Sequence, residues 1–246
     1  MKQGGLIGVC LVLVFVLCCM PVFGQNRGTV SYESLTIDNF DTPDDMDWTW
    51  NAYGSRFVSE GFPKLQYFDG MPNSLRAVQN DPEATYRVMG MRTQFDRKGD
   101  NWIEIIPVQK GTEEVTPYEI PLIGHIQQID VWVWGAKYRY YLELLVRDSD
   151  GRVHTLDFGA INHEGWKNLS VKMPGYIRQQ SRLLSGPQNM SLVGFRVRTD
   201  PRESVDDFLI YFDQLKVLTD TFTNVYDGFE FSTFEFEDTT QEGAGQ

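Results

Sequence analysis

The sequence is poor in cysteine, in histidine and in long apolar runs. Its three cysteines, Cys10, Cys18 and Cys19, all lie close to the N-terminus. If the chain begins at Gln25 after export, it contains no thiol, which excludes disulfides, cysteine nucleophiles and cysteine-ligated zinc. A secreted domain without disulfides must instead be stabilised by an extensive hydrophobic core.

One apolar run stands at the N-terminus, where Leu6–Cys19 follows the positive charge of Lys2. The run is too short to cross a bilayer comfortably as a helix. With the small residue Gly24 at a suitable cleavage position, residues 1–24 are predicted to form a secretory signal peptide. An acylated lipoprotein cysteine at Cys18 or Cys19 is the alternative, although the residue before each fits that pattern poorly. We expect no membrane association after cleavage.

Basic residues are also scarce, since 22 Lys and Arg stand against 34 Asp and Glu, giving a net charge of −12. This excess of negative charge argues against nucleic acid and anionic membrane surfaces as partners. It is compatible with a cationic protein partner or with divalent cations.

Motifs for catalysis are missing as well. The sequence has no G-x-S-x-G nucleophile elbow, no H-E-x-x-H zinc motif and no G-x-x-x-x-G-K-[ST] phosphate loop. The three histidines, His125, His154 and His163, lack metal-ligand spacing and lie near the ends of different predicted strands. We therefore predict that the protein is not an enzyme and has no catalytic residues.

Acidic residues are concentrated between Asp38 and Asp47, where five of ten residues are aspartate. Terminal strands are often neighbours in a jelly roll, so Asp38 or Asp41 could meet Asp213 of the last predicted strand. Because clustered carboxylates can bind calcium, these three residues are candidate ligands of a structural calcium ion. A solvated acidic loop is the alternative. No other cofactor is expected.

Period-two alternation of apolar and polar residues predicts strands along most of the chain. The predicted strands are Leu35–Phe40, Leu75–Val78, Tyr86–Phe95, Trp102–Val108, Ile129–Trp134, Tyr138–Arg147, Val153–Phe158, Trp166–Met173, Leu192–Arg198 and Phe208–Leu218. Asp148–Gly151 is predicted to be a hairpin turn, and Tyr176–Leu184 is the one helix-like segment. This pattern predicts a single all-β domain, residues 25–220, folded as a jelly-roll β-sandwich.

The aromatic stretch from Val131 to Gly151 raises the question of which rings are buried. Alternation places Ile129, Val131 and Val133 on the inner face of one strand, and Trp132 and Trp134 on its opposite face. Three roles remain open for the two tryptophans, namely cover by the chain's own loops or tail, contact with another subunit, and a platform for sugar. In the following strand, either the set Tyr140, Leu142, Leu144 and Val146 or the Tyr141/Leu145 face points to the core.

The C-terminal segment, residues 221–246, differs in composition from the rest. It has six acidic residues, six aromatic residues and no Lys, Arg or His. Its aromatic residues Phe229, Phe231, Phe234 and Phe236 alternate with other residues as in a strand with one apolar face. The segment is therefore a candidate interface that packs on its own sandwich or adds to a partner's sheet edge. A disordered acidic tail is the alternative.

Several motifs together resemble one protein family. They are Ile120–Ile177, which includes Ile129–Gly135, Asp148–Gly151 and Gly165–Leu169, and the later segments Gly194–Asp200 and Ile210–Asp220. In these the chain resembles the FlaA-type outer layer (sheath) proteins of the spirochaete periplasmic flagellar filament. The likeness extends over most of the chain that would follow the signal peptide.

The resemblance implies a non-catalytic structural subunit that coats the flagellin core in the periplasm and influences filament stiffness, shape and motility. It further implies a galactose-binding-like β-sandwich. Flagellin, other sheath proteins and further copies of the chain along the filament are the implied partners. Because a fold does not fix a function, a periplasmic carbohydrate-binding protein that recognises peptidoglycan is the alternative.

Overall fold

The computed structural model describes residues 30–79, 81–112, 114–181 and 188–221, and within these residues the secondary structure is all strand and turn. Contacts divide the chain into residues 1–30 and residues 31–246, and all strands lie in the second part. In chain order, the strands β1 to β14 are Tyr32–Asp38, Trp48–Gly54, Lys64–Asp69, Arg87–Thr93, Trp102–Gln109, Ile120–Pro121, His125–Ala136, Tyr141–Arg147, Val153–Ala160, Glu164–Lys172, Gln180–Ser181, Gln188–Asn189, Ser191–Arg198 and Phe208–Asp220.

The strands form two antiparallel six-stranded sheets and one small pair. The first sheet has the order β10-β7-β14-β4-β3, with β1 also paired to β14. The second has the order β2-β5-β13-β8-β9, with β6 also paired to β13, and β11 pairs with β12. The predicted all-β jelly-roll sandwich is confirmed. The first and last strands, β1 and β14, are neighbours as expected.

The core lies between the two sheets and is built from alternate residues of each strand. Ile129, Val131 and Val133 on β7 are fully buried, as alternation predicts. On β8 the inner set is Leu142, Leu144 and Val146, with Tyr140 just before the strand. This decides the register that the sequence left open, because these four side chains are fully buried.

Aromatic rings join the sheets at the centre of the core. Phe195 of β13 and Phe212 of β14 stack with ring centroids 5.1 Å apart. Trp50 of β2 lies 5.4 Å from Phe195 and donates its indole N–H to the Asp38 carboxylate at 2.8 Å. Burial of large rings with satisfied polar atoms fixes the relative position of the two sheets.

The predicted strand at Leu75–Val78 is wrong, because this segment forms hydrogen-bonded turns. The amide of Leu75 donates to the Pro72 carbonyl, and the amide of Val78 donates to the Leu75 carbonyl, both at 2.9 Å. Val78 is 84 % exposed. Among the described residues no strand pairs with this segment. The hydrogen-bonded turns that begin at Pro72 therefore outweigh the β-propensity of so short an apolar run.

The helix-like segment is also wrong within its described part. Residues 176–179 form a turn and an irregular stretch that leads into β11. Gln179 accepts a bond from the Ile126 amide at 2.6 Å and donates to the Ile126 carbonyl at 2.8 Å. These two bonds to β7 fix the segment against the sandwich.

The hairpin predicted at Asp148–Gly151 is confirmed. Gly151 has φ of 87°, which glycine adopts without steric cost, and its amide donates to the Asp148 carbonyl at 3.0 Å. The Asp148 carboxylate accepts from the amides of Asp150 and Arg152. The turn therefore uses its own aspartate to join β8 to its partner β9.

Candidate functional site

The two tryptophans predicted to face away from the core do so. Trp132 and Trp134 on β7 are half-buried on the outer face of the first sheet. The strand register places Trp166 of β10 directly beside Trp134, and Tyr211 of β14 on its other side. An aromatic row thus crosses three neighbouring strands.

The row continues over β4 because that strand carries a glycine at the next position. Gly90 pairs with Tyr211, and a Cβ at Gly90 would come within 2.7 Å of the Tyr211 ring and 2.8 Å of the Phe68 ring. The rings of Phe68 and Tyr211 meet edge to face at 5.7 Å, and those of Trp134 and Tyr211 at 5.4 Å. The glycine therefore allows two rings from distant strands to close over the sheet.

Two adjoining cavities follow this row, with volumes of about 280 Å³ and about 300 Å³. Phe68 and Tyr211 line both of them. The first also contacts Trp134 and Trp166, and the second extends over Lys64, Gln66 and Arg92. We call this surface, lined centrally by Phe68, Trp134, Trp166 and Tyr211, the aromatic groove.

Two ion pairs lie at or beside the groove. Arg92 and Asp207 form an ion pair at 2.5 Å, and Arg87 and Asp69 lie 3.7 Å apart. An apolar centre with a polar, ion-paired rim is the usual arrangement of protein–protein contact surfaces. Sequence reasoning found Trp134, whereas Phe68, Trp166 and Tyr211 join the groove only through strand pairing.

Trp132 lies one row further along β7 and outside the groove lining. It pairs with Asn168 on one side and with Asp213 on the other. Asn168 donates to the Asp130 carboxylate at 3.0 Å. The role of Trp132 as an interface residue stays a prediction.

The three candidate calcium ligands lie close enough for their charges to interact. Asp38 is 6 % exposed and Asp213 is 2 % exposed, while Asp41 is half-buried. Burial first, and then the neighbouring Asp41, raises the pKa of Asp213 to about 8. Burial also raises the pKa values of Asp38 and Asp41. The structure thus places Asp38 at the end of β1, and Asp41 just after it, near Asp213 of β14.

The bonding of these aspartates differs. Asp38 accepts from the Phe40 amide and the Trp50 indole, and Asp41 accepts from the Arg87 amide. Within the described part of the chain, Asp213 Oδ1 is buried and has no hydrogen-bond partner. No group of three or more His, Cys, Asp or Glu side chains in that part is arranged to hold a metal ion. Structural calcium therefore stays a prediction.

The histidines remain in separate places. His154 lies 2.6 Å from the buried Asp148 carboxylate, and His163 lies 3.2 Å from the Val133 carbonyl. His125 contacts Gln127 at 2.9 Å. Each of these is a local contact rather than part of a shared site.

Two predicted segments lie outside the described residues. They are the signal peptide at residues 1–24 and the interface candidates Phe229, Phe231, Phe234 and Phe236. Cleavage after Gly24 and the role of the C-terminal segment stay predictions. Among the residues that the structure describes, no helix is long and apolar enough to span a membrane.

Comparison with known families identifies the chain at the level of family. Residues 29–226 match the family described as flagellar filament outer layer protein FlaA. The chain belongs to this family. The resemblance found in the motifs from Ile120 onward is thereby confirmed. The matched range includes the strands of both sheets.

Relatives of this FlaA-family chain come from spirochaetes. A flagellar filament outer layer-like protein of Brachyspira hyodysenteriae is 29 % identical over 203 residues, covering 82 % of this chain and 86 % of the relative. The flagellar filament outer layer protein of Treponema pallidum is 28 % identical over 106 residues, or 40 % of this chain and 30 % of the relative. That of Borreliella burgdorferi is 25 % identical over 150 residues, or 54 % and 44 %.

Solved structures share the sandwich architecture at low sequence identity. A family 61 carbohydrate-binding module in complex with β-1,4-galactotriose is 12 % identical with a TM-score of 0.40, covering 74 % of this chain and 95 % of the module. A family 29 carbohydrate-binding module is 8 % identical with a TM-score of 0.35, covering 81 % of this chain and 100 % of the module. These likenesses concern the fold alone.

Proposed function

We propose that this chain is a non-catalytic structural subunit of the outer layer of the periplasmic flagellar filament, and that its aromatic groove contacts a neighbouring subunit. FlaA-family membership supports the filament outer layer as its place of action. The observation that carries the contact site is the row of half-buried rings Trp166, Trp134 and Tyr211 on one sheet face.

The groove has the composition of a protein contact rather than of a catalytic site. Tryptophan and tyrosine are enriched among the residues that contribute most to binding between proteins. Rings already held edge to face lose little conformational freedom when a partner covers them. Flagellin of the filament core, other sheath proteins and further copies of this chain are the proposed partners.

The proposed mechanism is mechanical. A subunit that repeats along a polymer makes many modest contacts, and their combined effect is strong even where each contact is weak. Such a coat would stiffen the filament and bias its curvature, which would influence cell motility. The signal peptide expected at residues 1–24 would supply export to the periplasm.

The groove is tested by co-sedimentation with periplasmic filaments isolated from a strain that lacks this protein. Trp134→Ala and Tyr211→Ala should each reduce the bound fraction at least about tenfold, because both remove a central ring. Tyr176→Ala is the matched control, since Tyr176 is 76 % exposed and does not line the groove. All three variants should retain the wild-type circular dichroism spectrum.

A second measurement tests the filament role itself. The purified filaments of the wild-type strain should carry the protein, and filaments from the deletion strain should differ in curvature by electron microscopy. If the protein is absent from wild-type filaments, the outer-layer role is wrong for this chain. If it is present but both groove variants bind normally, only the assignment of the groove is wrong.

A further inference from the structure

The outer face of the second sheet carries a grid of alternating charges. Arg196 on β13 pairs in register with Glu104 on β5 and with Glu143 on β8. Arg198, two residues further along β13, lies between Trp102 and Tyr141 on the same two strands. Because side chains alternate along a strand, these residues all share the outer face.

The charged groups form one continuous chain of contacts. Arg196 donates from Nη2 to Glu104 Oε1 at 2.6 Å and approaches Glu143 Oε2 at 3.8 Å. Glu143, whose side chain is 11 % exposed, also accepts from Arg198 Nε at 3.0 Å. Arg196 is held between two carboxylates and Arg198 by one, and a guanidinium held in this way presents its remaining N–H groups in defined directions.

Aromatic rings border this grid. The Arg198 guanidinium lies 5.3 Å from the centre of the Tyr141 ring, and Trp102 beside it is 37 % exposed. Tyr53 on β2 is paired with Glu104, and its hydroxyl accepts a bond from the Asn51 amide at 2.9 Å. We call the surface formed by Tyr53, Trp102, Glu104, Tyr141, Glu143, Arg196 and Arg198 the polar face.

The polar face retains unused hydrogen-bonding capacity of both kinds. Among the described residues, no hydrogen bond engages Glu104 Oε2 or the terminal nitrogens of Arg198. The former is an acceptor, and the latter are donors. The two arginines and two glutamates cancel in charge, so the grid does not favour an ion of either sign.

We propose that the polar face is a binding site for a neutral oligosaccharide. Each sugar hydroxyl both donates and accepts, which matches a surface of alternating carboxylates and guanidinium groups. The apolar C–H face of a pyranose ring packs on an aromatic side chain, a role for Trp102 and Tyr53. A small number of precisely placed polar groups fixes the orientation of a small ligand in its site.

The plainer role of such a grid is to stabilise the sheet. Exposed ion pairs contribute little to stability. A mostly buried Glu143 adds a desolvation cost that hydrophobic residues would not have. The arrangement is therefore a costly means of holding three strands together, whereas it supplies preorganised donors and acceptors for a ligand. This inference does not rest on the filament role or on the aromatic groove.

The test uses the exported protein purified from the periplasm and isothermal titration with defined sugars. The neutral probes are cellotetraose, β-1,4-galactotetraose and chitotetraose, and tetragalacturonic acid is the charged comparator. At least one neutral probe should bind saturably, and its affinity should change by less than about twofold when NaCl is raised from about 50 to about 500 mM. The exposed Trp102 should report the same binding by fluorescence.

Variants locate the site. Trp102→Ala and Arg198→Gln should each weaken binding at least about tenfold, since each removes a direct contact. The matched control Tyr176→Ala, at an exposed ring that belongs neither to the polar face nor to the aromatic groove, should leave the affinity within about twofold. Melting temperatures of all variants are measured in parallel to separate a loss of contact from a loss of folding.

Four results would overturn the proposal. They are no binding of any neutral probe at about 5 mM, stronger binding of tetragalacturonic acid than of every neutral probe, an equal loss of affinity in Tyr176→Ala, and lowered melting temperatures in Trp102→Ala and Arg198→Gln with affinity unchanged. In the last case the grid is structural only. None of these results bears on co-sedimentation with filaments, so the two proposals fail independently.

Discussion

Asp213 shows how one buried residue can make stability depend on pH. Its pKa is about 8 in the folded protein against an ordinary value of 3.8, because burial and the charge of Asp41 disfavour the ionised carboxylate. A hydrogen bond from the Gln214 backbone amide and the positive charge of Lys216 lower the pKa only in part. The unfolded chain therefore loses this proton first as pH rises. The contribution of Asp213 to stability is full below pH 4, falls between about pH 4 and about pH 8, and is lost above pH 8.

Asp213→Asn should remove this dependence, because an amide does not ionise. We expect the free energy of unfolding at pH 8 to rise by about 1 to 3 kcal/mol and to differ little at pH 4. Urea unfolding at a series of pH values measures this. Asp100→Asn, at an exposed aspartate, is the control and should change neither value. A variant with the same pH slope as the wild type would show that Asp213 ionises normally.

A bound cation would also compensate the buried carboxylate of Asp213, whose Oδ1 atom has no hydrogen-bond partner among the described residues. We propose that calcium, if it binds, does so at Asp213 and Asp41, with Asp38 beside them, and stabilises the folded state by binding it alone. The melting temperature should then be higher in calcium than in EDTA, and Asp213→Asn should abolish the difference. Identical melting temperatures in calcium and in EDTA would contradict calcium binding by this protein.

At the scale of the strand, Gly90 determines the shape of the aromatic groove. Gly90→Ala would place a methyl group within 2.8 Å of ring atoms of both Tyr211 and Phe68, so the rings must move outward. We expect a loss of about 1 to 3 kcal/mol in the free energy of unfolding together with weaker filament binding. Gly175→Ala is the matched control, since its added Cβ meets nothing within 4 Å. Unchanged stability and binding in Gly90→Ala would contradict this role.

Strands with strong alternation were predictable, whereas two of the edge strands, β2 and β3, were not. The inner set Ile129, Val131 and Val133 identified β7, because a buried face imposes period two on the sequence. β3 was missed, since its Leu65 and Tyr67 are only partly buried at the edge of a sheet and alternate less clearly. β2 was missed although Trp48 and Trp50 alternate inward.

The candidate sites depended on strand pairing, which single strands do not encode. Trp134 could be placed on an outer face by alternation alone. Its neighbours Tyr211 and Phe68 are distant in sequence and meet it only through the order β7-β14-β4-β3. The grid of Arg196 and Glu143 likewise needs β13 beside β8 in one register. The sequence therefore predicts on which face of its strand a residue lies. Which residues of other strands share that face follows only from the order and register of the strands.

At the scale of the whole molecule, we expect the net charge of −12 to contribute to filament binding independently of the aromatic groove. If filament contacts include cationic side chains, raising NaCl from about 50 to about 500 mM should weaken co-sedimentation by screening them. Trp134→Ala removes apolar contact and no charge. It should therefore lower binding by the same factor at each salt concentration and leave the salt dependence parallel to that of the wild type.

If the logarithm of binding falls with the logarithm of NaCl concentration at the same slope for wild type and Trp134→Ala, the acidic surface and the aromatic groove contribute independently. This is expected for groups that do not touch. Wild-type binding that is indifferent to ionic strength would contradict the electrostatic part and leave the groove as the source of affinity. A groove variant whose salt dependence becomes steeper or shallower would instead place charged partner groups at the groove itself. The ion pair of Arg92 with Asp207 and the nearby Lys64, all on the groove lining, are charged groups available for such a contact.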